Sequence, residues 1–351
     1  METLIVGDHF ISSSAFREAM ERTLGANAGP LREVTWAGKD QEEHHAQQQI
    51  MERDGPEAID TPSEIVEAVG DAELIAVHFA PVPAAVIEAG SRLKAVIVAR
   101  AGYENVNVET ATAKGVAVVN IQGRNAEAVA EQAIGLMLAE SRDIARADAG
   151  IKAGRWKVDR QGPTNELSRR TVGLVGFGYV ARQLAKRLVG FSVRILAYDP
   201  YVDAITMRSY GVAKAPDLAT VFREGDFVNL HARLTEETRR FIGHEQFKLM
   251  KPTAYFINNA RSRMVDYDAL YEVLASGRIA GTGLDVFDDE PLKTDDPFRK
   301  LSNVTLVPHL AGVTEQMLQN SVDLVAEAAA EMQATGRALN TVNASALEDA
   351  R

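Results

Sequence analysis

Short apolar runs recur along the chain, with polar and helix-patterned stretches between them. Thr3 to Val6, Leu74 to Phe79, Leu93 to Ala99 and Val116 to Asn120 lie in the first third. Val172 to Val175, Arg194 to Tyr198, Phe227 to Leu230, Ala254 to Ile257, Ile279 to Leu284 and Val304 to Val307 follow. Runs of about 4–8 apolar residues bounded by turn residues read as strands buried on both faces. Their alternation with helical patterns predicts parallel sheets of α/β type. Val180 to Leu188 reads as one helix and Thr314 to Thr335 as another. Asn125 is placed to cap a third, running through AEAVAEQAIGLMLAESRDIARADAG. Its middle, Ala133 to Ala139, is apolar or small nearly all round, which predicts burial on several sides. The polar segment Lys39 to Ala58 carries His44 and His45; adjacent helical residues point in different directions, which favours a solvated helix or loop over a metal site.

Composition narrows this picture. A chain of 351 residues suffices for two domains of ordinary size, and 46% hydrophobic with 25% charged residues is a globular balance. A net charge of -11 without a basic patch argues against nucleic acid or an acidic membrane as partner. With no cysteine, disulfide and thiolate chemistry are excluded and a reducing compartment suits the chain. The start, METLIVGDHF, has no basic leader region, and no stretch approaches the roughly 18 apolar residues of a membrane span. A soluble cytoplasmic protein is expected. Since the sequence stops soon after the helix ending at Thr335, no C-terminal regulatory domain is expected either.

Chemistry enters at TVGLVGFGYVARQLAKRLVGFSVRILAYDP, Thr171 to Pro200. A buried strand runs into a GxGxxA turn, Gly176, Gly178 and Ala181, and a helix opens at Val180, directly after Tyr179. Gly176 permits a tight bend, Gly178 lets the backbone approach a pyrophosphate, and Ala181 lets the helix pack closely on the strand. The helix N-terminus offers free amides to the anion. A second strand ends in Asp199, about 20 residues beyond the turn, where a carboxylate accepts from a ribose diol and repels a 2'-phosphate. NAD is therefore the expected cofactor. Asp199 can also be read as a turn acid before Pro200.

Beyond Asp199 the strand ends carry unusual polar residues. His231 follows one strand; Asn258, Asn259 and Arg261 follow the next; Asp285 and then Glu290 follow the third; Pro308 and His309 follow the last. Carboxyl ends of parallel strands share one edge of a sheet, the edge at which ligands bind. The residues therefore converge on the edge that carries the glycine turn.

From about Leu74 to Val342 these motifs make the chain resemble the D-isomer-specific 2-hydroxyacid dehydrogenases, which include D-3-phosphoglycerate dehydrogenase. The stretches that carry the resemblance are GLVGFGYVARQLAKRL, LHARLTEETRRFIG, FINNARSRMVD, GLDVFDDEP and VPHLAG. It implies two Rossmann-like domains. One is a central NAD-binding, doubly wound parallel sheet over 122–310; the other is a discontinuous, flavodoxin-like substrate domain over 1–121 and 311–351. It also implies a homodimer and a small 2-hydroxy or 2-keto acid as substrate. Arg261, Glu290 and His309 match the catalytic arginine, glutamate and histidine. The types suit the chemistry: a histidine moves the hydroxyl proton, a carboxylate orients the imidazole, and a planar guanidinium grips a carboxylate and polarises a carbonyl. Asp285 matches the aspartate at the nicotinamide amide, and Thr238, His231 and Asn259 match positions near the cofactor. The stretch Leu93 to Asn107 matches the loop whose amides hold the substrate carboxylate, which nominates Ala101, Gly102 and Tyr103, with His78 beside them.

Departures from the family pattern bear on the substrate. The loop is two residues short, Asn107 stands where aspartate is usual, His231 is followed by Ala232 and Arg233 where a proline usually stands two positions on, and Ser262 replaces a glycine. His78 and Phe79 stand where some phosphoglycerate enzymes carry arginines, although Arg100 and Arg124 offer charge nearby. A small 2-hydroxy acid is favoured, with phosphorylated and sugar-derived acids both open. Two other readings stand beside it: D-3-phosphoglycerate dehydrogenase specifically, and a non-catalytic NAD(H)-sensing interaction protein of the same fold.

Overall fold

The computed structural model describes residues 1–36, 41–61, 63–156 and 164–349. The chain divides into two compact units, Met1–Arg124 with Thr314–Arg351, and Asn125–Val313.

The first unit is built on five parallel strands, β1 (Thr3–Gly7), β2 (Leu31–Thr35), β3 (Leu74–Val77), β4 (Ala95–Val98) and β5 (Ala117–Asn120), in the order β2-β1-β3-β4-β5. Successive side chains of a strand face opposite ways. Accordingly Leu4, Val6, Ile75, Val77, Val96 and Val98 fill one core, and Ile5, Leu74, Ala76, Ala95 and Ile97 the other. The second core is closed by helices Ser13–Leu24 and Glu315–Thr335. The latter starts where the Thr314 hydroxyl accepts from the Met317 N–H at 3.1 Å, and buries Val322, Val325, Ala326, Ala329 and Met332 along one stripe. Strand β2 has no apolar run: LREVT is an edge strand with no fully buried residue, and its pattern alone does not announce it.

Segment Gln41–Asp54 is a helix, but His44 is not solvated. It is fully buried, with its ring 4.5 Å from Trp36 and 5.4 Å from Phe10, centroid to centroid. A polar helix hides one aromatic residue against the sheet, which the average polarity of the segment conceals. Lys39, Asp40 and the His45 side chain lie outside the described residues.

The second unit holds seven parallel strands, β6 (Thr171–Val175), β7 (Arg194–Tyr198), β8 (Ala213–Lys214), β9 (Phe227–Leu230), β10 (Tyr255–Asn258), β11 (Gly281–Leu284) and β12 (Val304–Leu306). Their order, β12-β11-β10-β9-β6-β7-β8, reverses its direction of winding between β6 and β9, and a ligand crevice opens at such a point. Ala133, Leu136 and Met137 of helix Ala126–Ser141 are buried in its core. The glycines of β11 let this helix come close: a Cβ on Gly283 would lie 2.9 Å from the Leu136 Cβ. The expected single helix through Gly150 is in fact two. It ends at Ser141, Asp143 turns left-handed at φ 58, and a second helix runs over Ile144–Lys152. Arg146 fastens the break, bonding Asp143 at 2.8 Å and Glu140 at 3.1 Å. Asn125 stands at the N-cap position, yet its side chain makes no capping bond. No described helix is long and apolar enough to cross a membrane.

Candidate active site

Strand β6 delivers the chain into the glycine turn. Gly176 adopts φ 91, and a Cβ there would lie 2.8 Å from the His231 carbonyl oxygen, so both conformation and space demand glycine. Gly178 precedes helix Tyr179–Leu188 with nothing within 4 Å of where its Cβ would be, and no side chain caps the helix. The first-turn N–H groups at Tyr179 and Val180 thus have no intrahelical partner and open space in front of Gly178.

Asp199, just past β7, straps this turn in place. One carboxylate oxygen accepts from the Phe177 N–H at 2.9 Å, and the other from Tyr201 and Val202 at 2.8 and 3.2 Å. Asp199 is therefore a turn acid, and with about four acceptor directions on a carboxylate one remains for a ribose hydroxyl. His231, past β9, has both ring nitrogens buried without a partner, and burial pushes its pKa down to about 4, so the ring is neutral. Asn259 donates to the Val129 carbonyl at 2.9 Å, while its own side-chain oxygen is buried without a partner. Thr238 organises the turn after β9, donating to the Arg233 carbonyl and accepting from the Thr235 N–H, both at 2.7 Å. An open glycine cradle, an uncapped helix and orphaned polar atoms at neighbouring strand ends fit a dinucleotide such as NAD.

A cleft of about 350 Å³ in the same unit is lined by Arg261, Ser262, Phe287, Glu290 and His309, among others. His309 Nδ1 lies 2.7 Å from Glu290 Oε2. An ionised carboxylate only accepts, so Nδ1–H donates and Nε2 is left to exchange a proton. The other Glu290 oxygen accepts from the Phe287 N–H at 2.9 Å. Partial burial alone would raise the Glu290 carboxyl. The His309 bond, the Phe287 N–H and the charges of His309 and Arg261 outweigh it and hold the group below the usual carboxylate range.

His309 itself sits at φ 52, a left-handed conformation that a non-glycine residue adopts only when its surroundings enforce it. Asp285 supplies the enforcement. Fully buried past β11, it accepts from the Leu310 and Ala311 N–H groups at 2.8 and 2.9 Å and from Gln132 at 3.0 Å. Arg261 is exposed, and its carbonyl and the Ala260 N–H are pinned by the Asn258 amide at 3.2 and 3.1 Å.

In the first unit the strand ends carry a second polar assembly. Arg124 Nη1 lies 2.9 Å from His78 Nε2, and a guanidinium only donates, so Nε2 accepts and Nδ1–H donates to Asp8 at 3.1 Å. Burial lowers the His78 pKa, Asp8 opposes this, and the positive charges of Arg124 and Arg100 reinforce it. His78 was expected among the substrate-binding groups. It is only 2% exposed, and both of its ring nitrogens are engaged within the unit. The loop Ala101, Gly102 and Tyr103 is more open, and its N–H groups donate to no described acceptor. The Asn120 side chain holds it by donating to the Ala101 carbonyl. Asp8 and Gln132 escaped the sequence reading; Asp8 follows β1 directly, and the strand-end rule would have found it.

Residues 134–311 match the NAD binding domain of the D-isomer specific 2-hydroxyacid dehydrogenases. The chain is 38% identical to a glyoxylate reductase of Korarchaeum cryptofilum over 84% of its own length and 89% of that protein's. It is also 38% identical to a D-3-phosphoglycerate dehydrogenase of Methanocaldococcus jannaschii, over 81% of its own length but 54% of that longer protein's. A D-isomer specific 2-hydroxyacid dehydrogenase of Lactobacillus delbrueckii ssp. bulgaricus, solved in its NAD complexed form, shares the fold at a TM-score of 0.73 and 22% identity, over 97% of this chain and all of that one. The chain therefore belongs to the D-isomer specific 2-hydroxyacid dehydrogenases, enzymes that use NAD and carry the NAD binding domain found here.

Proposed function

We propose that the protein reduces a small 2-keto acid to the D-2-hydroxy acid, with His309 and Glu290 as the proton-transfer pair and Arg261 as the substrate anchor. The observation that carries this reading is the 2.7 Å bond between His309 and Glu290 on the wall of a cleft that Arg261 shares. NADH, when bound, supplies the hydride that C2 of the keto acid receives. Arg261 grips the substrate carboxylate and draws electron density towards the carbonyl oxygen, and His309 Nε2 gives that oxygen its proton. Glu290 holds the imidazole ring and stabilises its cationic form. Asp285 fixes the backbone that presents His309, and its remaining acceptor direction is assigned to the nicotinamide amide. Gly176, Gly178, Tyr179 and Val180 cradle the pyrophosphate; Asp199 takes a ribose hydroxyl; His231, Thr238 and Asn259 complete the cofactor site. In the first unit, the N–H groups of Ala101, Gly102 and Tyr103 are assigned to the substrate carboxylate.

A homodimer is part of this proposal. On helix Ile144–Lys152, Ile144 and Ile151 are 54% and 51% exposed, and Trp156 beyond it is 93% exposed, an apolar display that a second copy would cover. An acidic, cysteine-free chain suits the cytoplasm.

NADH oxidation in the presence of glyoxylate, hydroxypyruvate, pyruvate and longer sugar-derived keto acids, with chiral analysis of the product, tests the reaction. Turnover to the D-isomer is expected. An L-product, or silence across the panel, would reject the proposal, and silence would favour a binding protein.

NADH is expected to bind more tightly than NADPH, because the Asp199 carboxylate accepts from a ribose hydroxyl and repels a 2'-phosphate. In Asp199→Asn the amide oxygen still accepts from the glycine turn while the charge is gone, so the affinity gap narrows. Titration of both cofactors onto both proteins measures it; an initial preference for NADPH removes Asp199 from this role.

A further inference from the structure

Among the described residues, Arg100 and Arg124 are two cations at the carboxyl edge of the first sheet that the sequence offers to a second anionic group on a substrate. Both are engaged from within. Arg124 donates to His78 Nε2 at 2.9 Å, to the Ala99 carbonyl at 3.2 Å and to the Ser321 hydroxyl at 3.3 Å. Arg100, 7% exposed, lies 4.6 Å over the ring of Phe79 and donates to Glu104 Oε2 at 2.7 Å. The Glu104 carboxylate folds back over the loop to do so: a Cβ on Gly102 would collide with both Glu104 Oε2 and Arg100 Nη2. A negative charge of the chain's own therefore occupies the Arg100 guanidinium, directly over the backbone assigned to the substrate carboxylate.

We infer that Glu104 is a specificity-determining residue that restricts the substrate to 2-keto acids with a single negative charge. The inference rests on the proposed reaction and on the loop Ala101 to Tyr103 as carboxylate site. A substrate bearing one carboxylate needs one anion site, and the loop N–H groups provide it. A second carboxylate or a phosphate, the latter carrying about two charges at neutral pH, meets the Glu104 carboxylate instead of a free guanidinium. Like charges placed together across a binding surface discriminate strongly between partners. The neighbouring groups do not offset this: His78 is held neutral and as an acceptor by Arg124, and Phe79 and Phe10 are apolar. Glu104 itself is 45% exposed at its side chain, so it can be replaced without opening the core.

The test compares hydroxypyruvate with phosphohydroxypyruvate, which differ only by the phosphate, and pyruvate with oxaloacetate, which differ by a carboxylate. In each pair kcat/KM is measured with NADH for the unaltered protein, for Glu104→Gln and for Glu104→Asp. The unaltered protein is expected to favour the singly charged member of each pair. Glu104→Gln removes the charge and should narrow each ratio by roughly tenfold or more, through a lower KM for the multiply charged member. Glu104→Asp keeps the charge and should keep most of the discrimination. An unaltered protein that prefers phosphohydroxypyruvate overturns the inference, as do ratios that stay the same in Glu104→Gln. Silence of the unaltered protein on all four acids removes the proposed reaction itself and the inference with it.

Discussion

His309→Gln should lower turnover of any accepted keto acid by roughly 10²-fold or more, within the range for loss of general acid-base catalysis, and leave NADH affinity nearly unchanged. Glutamine can still bond Glu290, but no group remains at the Nε2 position to exchange a proton at neutral pH. Glu290→Gln tests the partner. A carboxyl held below its usual range stays ionised through neutral pH, so its charge stands beside the imidazole during reaction. Reduction consumes the protonated ring, and without the carboxylate the imidazolium loses its counter-charge, so Glu290→Gln should lower kcat for reduction by roughly tenfold or more. In the unaltered protein the rate should also fall on the acid side as pH drops through the depressed Glu290 pKa and the carboxylate takes a proton, a limb that Glu290→Gln lacks. Rate profiles measured from neutral pH downwards check both. Full activity in His309→Gln would send the search to another proton donor. An unchanged kcat in Glu290→Gln, or an acid limb that persists there, would reduce Glu290 to a spacer.

Strands buried on both faces were legible because β3 and β4 are apolar throughout, β9 is apolar but for Asn229, and all three sit between turn residues. The same reading had no purchase on β2, whose LREVT mixes polar and apolar residues because an edge strand buries less of itself. Neither glycine nor proline marks the break at Arg142 and Asp143. It depends on Asp143 turning left-handed and on Arg146 bonding back to Glu140, contacts that no helical period encodes. His309, Glu290 and Arg261 could be named from motif and chemistry because each lies within a few residues of a strand end. His78 could not be placed the same way. Its burial and tautomer are set by Asp8, 70 residues before it, and Arg124, 46 residues after it. Asp285 shows a similar limit: its position was evident, but its grip on the Leu310 and Ala311 amides emerges only when β11 and β12 lie side by side.

Arg261→Gln should lower kcat/KM by roughly 10²–10³-fold, the range for loss of one donor that stabilises a developing oxyanion. The side chain gives one Nη1 donor to the Ala260 carbonyl at 2.7 Å, so the rest of its five-donor fork remains for the substrate. Asn258 secures the backbone on either side, and buried Ser262 starts the turn Ser262–Met264 directly after it. The guanidinium is thus aimed by a fixed loop rather than by its own partners, and Arg261→Lys should recover only part of the loss, since a point charge cannot reproduce a bidentate grip. The loss should fall on kcat as well as KM, because the same fork both holds the carboxylate and polarises the carbonyl. A second readout separates this from a folding defect. Arg261 contributes to holding the Glu290 carboxyl low, so Arg261→Gln should move the acid limb of the rate profile to higher pH while NADH affinity holds. If only KM rises and kcat is untouched, Arg261 binds the carboxylate alone, and polarisation of the carbonyl falls to another group.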